Sequence, residues 1–166
     1  PRITDPEIWA EKEYIGVNMG MFCRHEKRFD LADGPRDLAE GLHLIPDRVK
    51  HEQSLVAETS EGLVILNSCC HAGVVKILTQ LSEQFPGTPI RAVLGGFHLM
   101  GKEGVTTLGP APEKVRAIAA ALRDDLKVQD IYTGHCTGGP AYALLEEELG
   151  DRLHHLTAGA VYEFAD

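Results

Sequence analysis

Three of the eight histidines each follow directly on a short apolar run. His71 comes after Leu63-Val64-Ile65-Leu66-Asn67-Ser68-Cys69-Cys70, His98 after Ala92-Val93-Leu94-Gly95-Gly96-Phe97, and His135 after Ile131-Tyr132-Thr133-Gly134. Small residues accompany each one: Ala72-Gly73, Gly95-Gly96, and Gly134 with Gly138-Gly139. Glycine lets a backbone turn sharply or approach a ligand closely. Neutral imidazoles converging on one place suit a divalent ion, zinc or iron among them. A single histidine at a strand end is ordinarily a hydrogen-bonded surface residue, so it is the repetition that points to a metal. His51, just before Glu52-Gln53-Ser54, is a further ligand candidate. His25, His43, His154 and His155 have no such setting and read as structural or solvated. The run Gly134–Gly139 leads into a helix signal at Pro140. Backbone N–H groups there suit a phosphate or carboxylate, which makes Thr137 and Gly138 anion-binding candidates, with a plain glycine helix entry as the competing reading.

These residues need a frame. Ser54–Thr59 alternates as a strand does, Ser60-Glu61-Gly62 reads as a turn, and Leu63–Leu66 is a short apolar run, so the pair predicts a hairpin with a three-residue connection. Val74, Val75, Leu78 and Leu81 fall at helical spacing before Pro86. Ile90–Leu94 is a buried strand, Pro112–Leu126 a helix, Ile131 and Tyr132 another strand, and Pro140–Leu149 another helix. Leu153–Leu156 and Val161–Phe164 look like closing strands. Residues 1–50 carry little periodicity and predict a loop-rich lead-in to a core over 51–166, with a short helix around Pro35–Gly41 and a strand near Leu42–Ile45. The whole chain, 1–166, reads as a single domain. Strands alternating with helices imply right-handed crossovers and a largely parallel α/β sheet. Ligands of such sheets bind outside the carboxyl ends of the strands, where these three histidines fall.

Composition narrows the function classes. The chain has 166 residues, 43% hydrophobic and 25% charged, the proportions of an ordinary globular domain. A net charge of −9 with scattered basic residues argues against a nucleic-acid partner, which needs clustered Lys and Arg. No apolar run approaches the ~18 residues of a membrane span. Cys23, Cys69, Cys70 and Cys136 show no C-x-x-C spacing and read as reduced thiols of a cytoplasmic protein. A thiol-redox role for adjacent Cys69-Cys70 is disfavoured by the strained ring their disulfide would close.

The runs His51-Glu52-Gln53-Ser54-Leu55, Gly62 through Gly73, Gly95-Gly96-Phe97-His98-Leu99 and Gly134-His135-Cys136-Thr137-Gly138 together resemble the carboxyl-terminal half of a metallo-β-lactamase-fold hydrolase. The subgroup most similar is that of dihydropterin or ribofuranosyl-aminobenzene phosphate synthase-like proteins. The resemblance implies half of a four-layer αββα sandwich, a mixed sheet with helices on one face. It also implies a metal-dependent hydrolase, or a phosphate-ester synthase-like enzyme, with one or two divalent metals, zinc first and iron or manganese next. By resemblance His71 and His135 are metal ligands, and His98 is a ligand or a substrate-facing catalytic acid/base at the same rim. Cys69 falls near the place of a bridging aspartate, as a ligand, a supporting residue or an inert buried thiol. The superfamily's H-x-H-x-D-H string is absent. The expectation is therefore half a site, completed by a missing amino-terminal half or a second copy of the chain. Its substrate would be a small molecule, phosphorylated or pterin-like. A non-catalytic binding module of the same fold is the rival.

Overall fold

The structure, a computed structural model, describes residues 34–49 and 52–164. Pro35–Asp166 form one compact unit. His51, His25 and Cys23 lie outside the described residues.

A seven-stranded mixed sheet runs in the order β1-β2-β3-β4-β5-β8-β9. Its first part is an antiparallel meander: β1 (Arg36–Ala39), β2 (Leu42–Pro46), β3 (Gln53–Thr59) and β4 (Gly62–Leu66). From β4 onward the pairing is parallel, through β5 (Ile90–Gly95), β8 (Asp130–Thr133) and β9 (Leu153–His155). A separate two-stranded ribbon joins β6 (Met100–Gly101) to β7 (Gly104–Leu108). The parallel crossovers carry α1 (Val74–Gln84), α2 (Pro112–Ala120) and α3 (Gly139–Leu149).

One face of the sheet meets all three helices. Ile45, Val56, Leu63, Ile65, Val93, Ile131 and Leu153 pack there with Val74, Ile77, Leu78 and Leu81 of α1, Val115 and Ala119 of α2, and Ala141, Leu145 and Leu149 of α3. The i, i+3, i+4 spacing of these helical residues buries one stripe per helix. The opposite face carries the register-matched row Leu44, Leu55, Leu66, Leu94 and Tyr132. Leu66 in that row is 40% exposed, and the other members are half-buried. Ile90 lies opposite Leu63 and Ala92 opposite Val64, so Arg91 is an extra residue in the ladder. Its guanidinium joins Glu61 and Asp130, and His154 Nε2 donates to the same Asp130 at 2.8 Å.

Several sequence expectations change in detail. Pro35–Gly41 holds strand β1, not a helix, because Gly41 (φ 67°) folds it back onto β2 after too few residues for a helix. The hairpin connection from β3 to β4 is two residues, Ser60 and Glu61, since Thr59 already pairs with Gly62. Only glycine fits at 62, where a Cβ would stand 2.3 Å from the Pro89 carbonyl oxygen. The helix expected over Pro112–Leu126 is α-helical to Ala120 and then widens into a π-turn, Ala121–Asp125. Val161–Phe164 is not a strand: Tyr162 and Phe164 lie against the Tyr132 ring. The ribbon β6–β7 had no sequence signal beyond its glycines.

Candidate functional site

The ends of three adjacent parallel strands, β4, β5 and β8, carry the candidate residues. Each strand breaks abruptly after its last paired residue. Among the described residues only four non-glycines have a positive φ: Cys70 (49°), His98 (51°), His135 (49°) and Lys127 (52°). The first three sit in these strand-end turns. Left-handed backbone costs a non-glycine on the order of 1–2 kcal/mol, and such strain collects at functional sites.

His71 and His98 meet edge to face, with ring centroids 4.4 Å apart. Glu52, whose side chain is 10% exposed, clamps the first of them. Its carboxylate accepts from the His71 backbone N–H at 2.6 Å, pairs with His71 Nδ1 at 2.8 Å, and accepts from the Ser68 hydroxyl at 3.2 Å. With Nδ1–H donated to a carboxylate, Nε2 keeps its lone pair and is free to ligate. Burial, together with the neighbouring His71, holds the His98 pKa below its ordinary value, which favours the neutral imidazole.

A second group comes from the turns after β4 and β8. One ligand atom each from Cys69, His135 and Cys136 all fall within 4.8 Å of one another. Cys136 is buried, Cys69 half-buried and His135 exposed. Burial, with a hydrogen bond to Cys136, pushes the Cys69 thiol up to about 11. Cys70 turns the other way, into the hydrophobic core, where burial raises its thiol far above the usual range. The adjacent cysteines therefore face different environments, which removes the geometry for a Cys69–Cys70 redox pair.

A chain of hydroxyls fixes the turn after β5 to the turn after β8. The Phe97 N–H donates to Thr137 Oγ1 at 2.9 Å, and Thr133 Oγ1 donates to the Gly95 carbonyl at 2.7 Å. Thr133 has thus used its proton, so Thr137 donates to Thr133 at 2.6 Å. Thr137 is fully buried and its hydroxyl is committed. Its side chain is a staple between strand ends, and an anion at this turn would meet backbone N–H groups. Gly138 does border an open cavity of about 390 Å³ with His135, Tyr142, His155 and Val105. A Cβ at Gly138 would meet Met100 and the Val105 carbonyl at 3.1 Å, so ribbon β6–β7 packs directly on this glycine.

Sequence reasoning missed Glu52, Cys136 and the Thr133–Thr137 staple. The only sequence signal for Glu52 is its position next to His51, and for Cys136 its adjacency to His135. His43, read as structural, is held between Asp37 at 2.6 Å and Glu58 at 2.8 Å. His154 stacks on Tyr132 and bonds Asp130, and His155 packs against Tyr142. No helix among the described residues is long and apolar enough to cross a membrane.

No family model matches the chain. It is 31% identical over 125 residues to the 7,8-dihydropterin-6-methyl-4-(β-D-ribofuranosyl)-aminobenzene-5′-phosphate synthase of Methanocaldococcus jannaschii, a stretch that is 75% of this chain and 40% of that protein. Its structure superimposes with a TM-score of 0.70 on the crystal structure of a metal-dependent hydrolase of the β-lactamase superfamily, at 23% identity, covering 90% of this chain and 62% of the other. The chain thus spans 40% of the length of the first relative and 62% of the second. It is a homologue of the synthase over that stretch and carries the mixed α/β fold of the metallo-β-lactamase superfamily.

Proposed function

We propose that this chain supplies the strand-end part of a metal-dependent active site, acting on a small phosphorylated or pterin-like substrate as a hydrolase or phosphate-ester synthase-like enzyme. The observation that carries the reading is the carboxylate-clamped His71 in contact with a neutral His98, at the ends of neighbouring parallel strands. His71 and His135 are assigned as ligands and His98 as the acid/base. The donor set of imidazoles and thiols fits zinc best, with iron or manganese as the harder alternatives. When bound, a divalent metal lowers the pKa of a coordinated water and polarises a substrate oxygen.

The chain's own residues do the rest. Glu52 holds the His71 ring in the tautomer that exposes Nε2. A neutral His98 can accept a proton from an attacking group and return it to a leaving group. The Thr133–Thr137 staple keeps the β5 and β8 turns at fixed separation. Two imidazoles are too few for a closed site. The remaining ligands are assigned to an H-x-H-x-D-H segment outside these residues or to a second copy of the chain, docked on the apolar sheet face of Leu44, Leu55, Leu66 and Leu94.

The test is metal analysis of the purified protein, followed by turnover of a panel of phosphate esters with zinc, iron or manganese added. His71→Ala and His135→Ala should each lower activity at least ~10²-fold while the circular dichroism spectrum is kept. Metal-free protein with full activity, or variants indistinguishable from the parent, would overturn the reading.

A further inference from the structure

We infer that Cys69 and Cys136, together with His135, form a thiolate-rich site for a soft divalent metal. This goes beyond the histidine-based reading above, with which it shares His135 and to which it adds two thiols. The three donors come from two turns that are 67 residues apart in the chain, Cys69 after β4 and His135–Cys136 after β8. Their ligand atoms nevertheless all lie within 4.8 Å of one another. A tetrahedral zinc spaces its sulfur and nitrogen ligands by roughly 3.5–3.8 Å, so these donors already stand near metal-ligand spacing. Two sulfurs and one imidazole are a donor set that selects zinc or cobalt over magnesium, calcium or manganese.

The backbone makes room for one of these sulfurs. A Cβ at Gly96 would stand 2.5 Å from Cys136 Sγ, closer than real atoms approach, so the thiol occupies space that only glycine leaves. The left-handed turn at His135 sets its imidazole and the following Cys136 on successive residues of one tight turn. Access is open on one side, because His135 is exposed and Cys69 half-buried while Cys136 closes the inner side. Cys70, sequence neighbour of Cys69, is sealed in the core and contributes nothing. Binding displaces the thiol protons to solvent, one per thiolate formed, and leaves the oxidation state of the metal unchanged.

The experiment titrates reduced full-length protein with Co²⁺ and reads the thiolate-to-cobalt charge-transfer absorption. One equivalent should develop the band, and Zn²⁺ should bleach it. Cys69→Ser and Cys136→Ser should each reduce it at least tenfold, whereas Cys70→Ser and His71→Ala should retain it. A readout without substitution guards against a variant that fails to fold. Zinc held at about ten times its Kd should slow alkylation of Cys69, mapped by mass spectrometry, roughly tenfold. Cobalt bound with only the weak bands of nitrogen and oxygen ligands, or Cys69 alkylated equally fast with and without zinc, would overturn the assignment. Loss of activity in His71→Ala with the band intact would show that the thiols and His135 hold metal without His71.

Discussion

At the scale of single residues, the carboxylate of Glu52 does the most with the least sequence signal. It satisfies one backbone N–H, one imidazole and one hydroxyl at once. Glu52→Gln keeps the shape but replaces a charged acceptor with a neutral amide. Losing such a partner of a metal-binding histidine typically weakens affinity about 10–100-fold, so calorimetric zinc affinity should drop by that factor while the melting temperature moves little. An unchanged affinity would reduce Glu52 to a structural group. His43 offers a pH test at the same scale. Hydrogen bonds to Asp37 first and Glu58 second raise its pKa above the ordinary value. The pair contribution is therefore complete below about pH 6.5, the unfolded value, and is lost as pH rises through the folded pKa. Denaturant stability should decline from pH 6 toward pH 9, by on the order of 0.5 kcal/mol because both carboxylates are open to water, and His43→Gln should flatten that slope. A slope identical in the variant would assign the pH dependence elsewhere. The three strand-end histidines were readable because each follows an apolar run. Glu52 and Cys136 were not, because what makes them site candidates is a neighbour brought up by the fold: His71 for one, Cys69 for the other.

At the scale of elements, long periodic segments were readable and short ones were not. Helices α1 and α3 and strands β3, β4, β5 and β8 follow their apolar patterns closely, since each buries a full stripe or face. Strand β1 has four exposed residues and so no pattern to read; pairing with β2 alone makes it a strand. The helix expected to run to Leu126 loosens into a π-turn, where the Leu126 N–H reaches the Ala121 carbonyl. Its end is a six-residue closure, the Val128 N–H donating to the Leu122 carbonyl at 2.9 Å, around Lys127 in left-handed conformation. Glycine is the residue favoured there. Lys127→Gly should therefore stabilise the protein by about 1 kcal/mol, raising the melting temperature by roughly 2–4 °C in calorimetry. A lower melting temperature would mean that the lysine side chain contributes more than its backbone conformation costs.

At the scale of the molecule, the sheet has one face committed to three helices and another with a row of leucines. Purely apolar strands such as β4 are typical of sheets covered on both faces, a feature visible in the sequence. What covers the second face is not written in strand periodicity, because a partner sheet and a partner chain leave the same apolar alternation. A monomer tolerates only a few hundred Å² of contiguous exposed apolar surface. Leu66→Lys places a charge in the middle of that face. Sedimentation velocity should show the parent associating with rising concentration and the variant less so. A parent that stays monomeric at all concentrations would mean that the face is already sufficiently covered.

The glycine pair that ends β5 has a consequence for distances. Strands β4 and β8 are two sheet spacings apart, roughly 9.6 Å, with β5 between them. Side chains rooted on the outer two can touch only by reaching over the end of the middle one. Gly95 and Gly96 leave that end bare: a Cβ at the first would strike the Asn67 carbonyl at 2.6 Å, and at the second the Cys136 sulfur at 2.5 Å. The middle strand thus acts as a low sill under a bridge. Its height, set by two missing methyl groups, determines whether residues from opposite sides can share one atom. Raising the sill by a single alanine at 96 would part Cys69 from Cys136 while leaving every donor group in the chain.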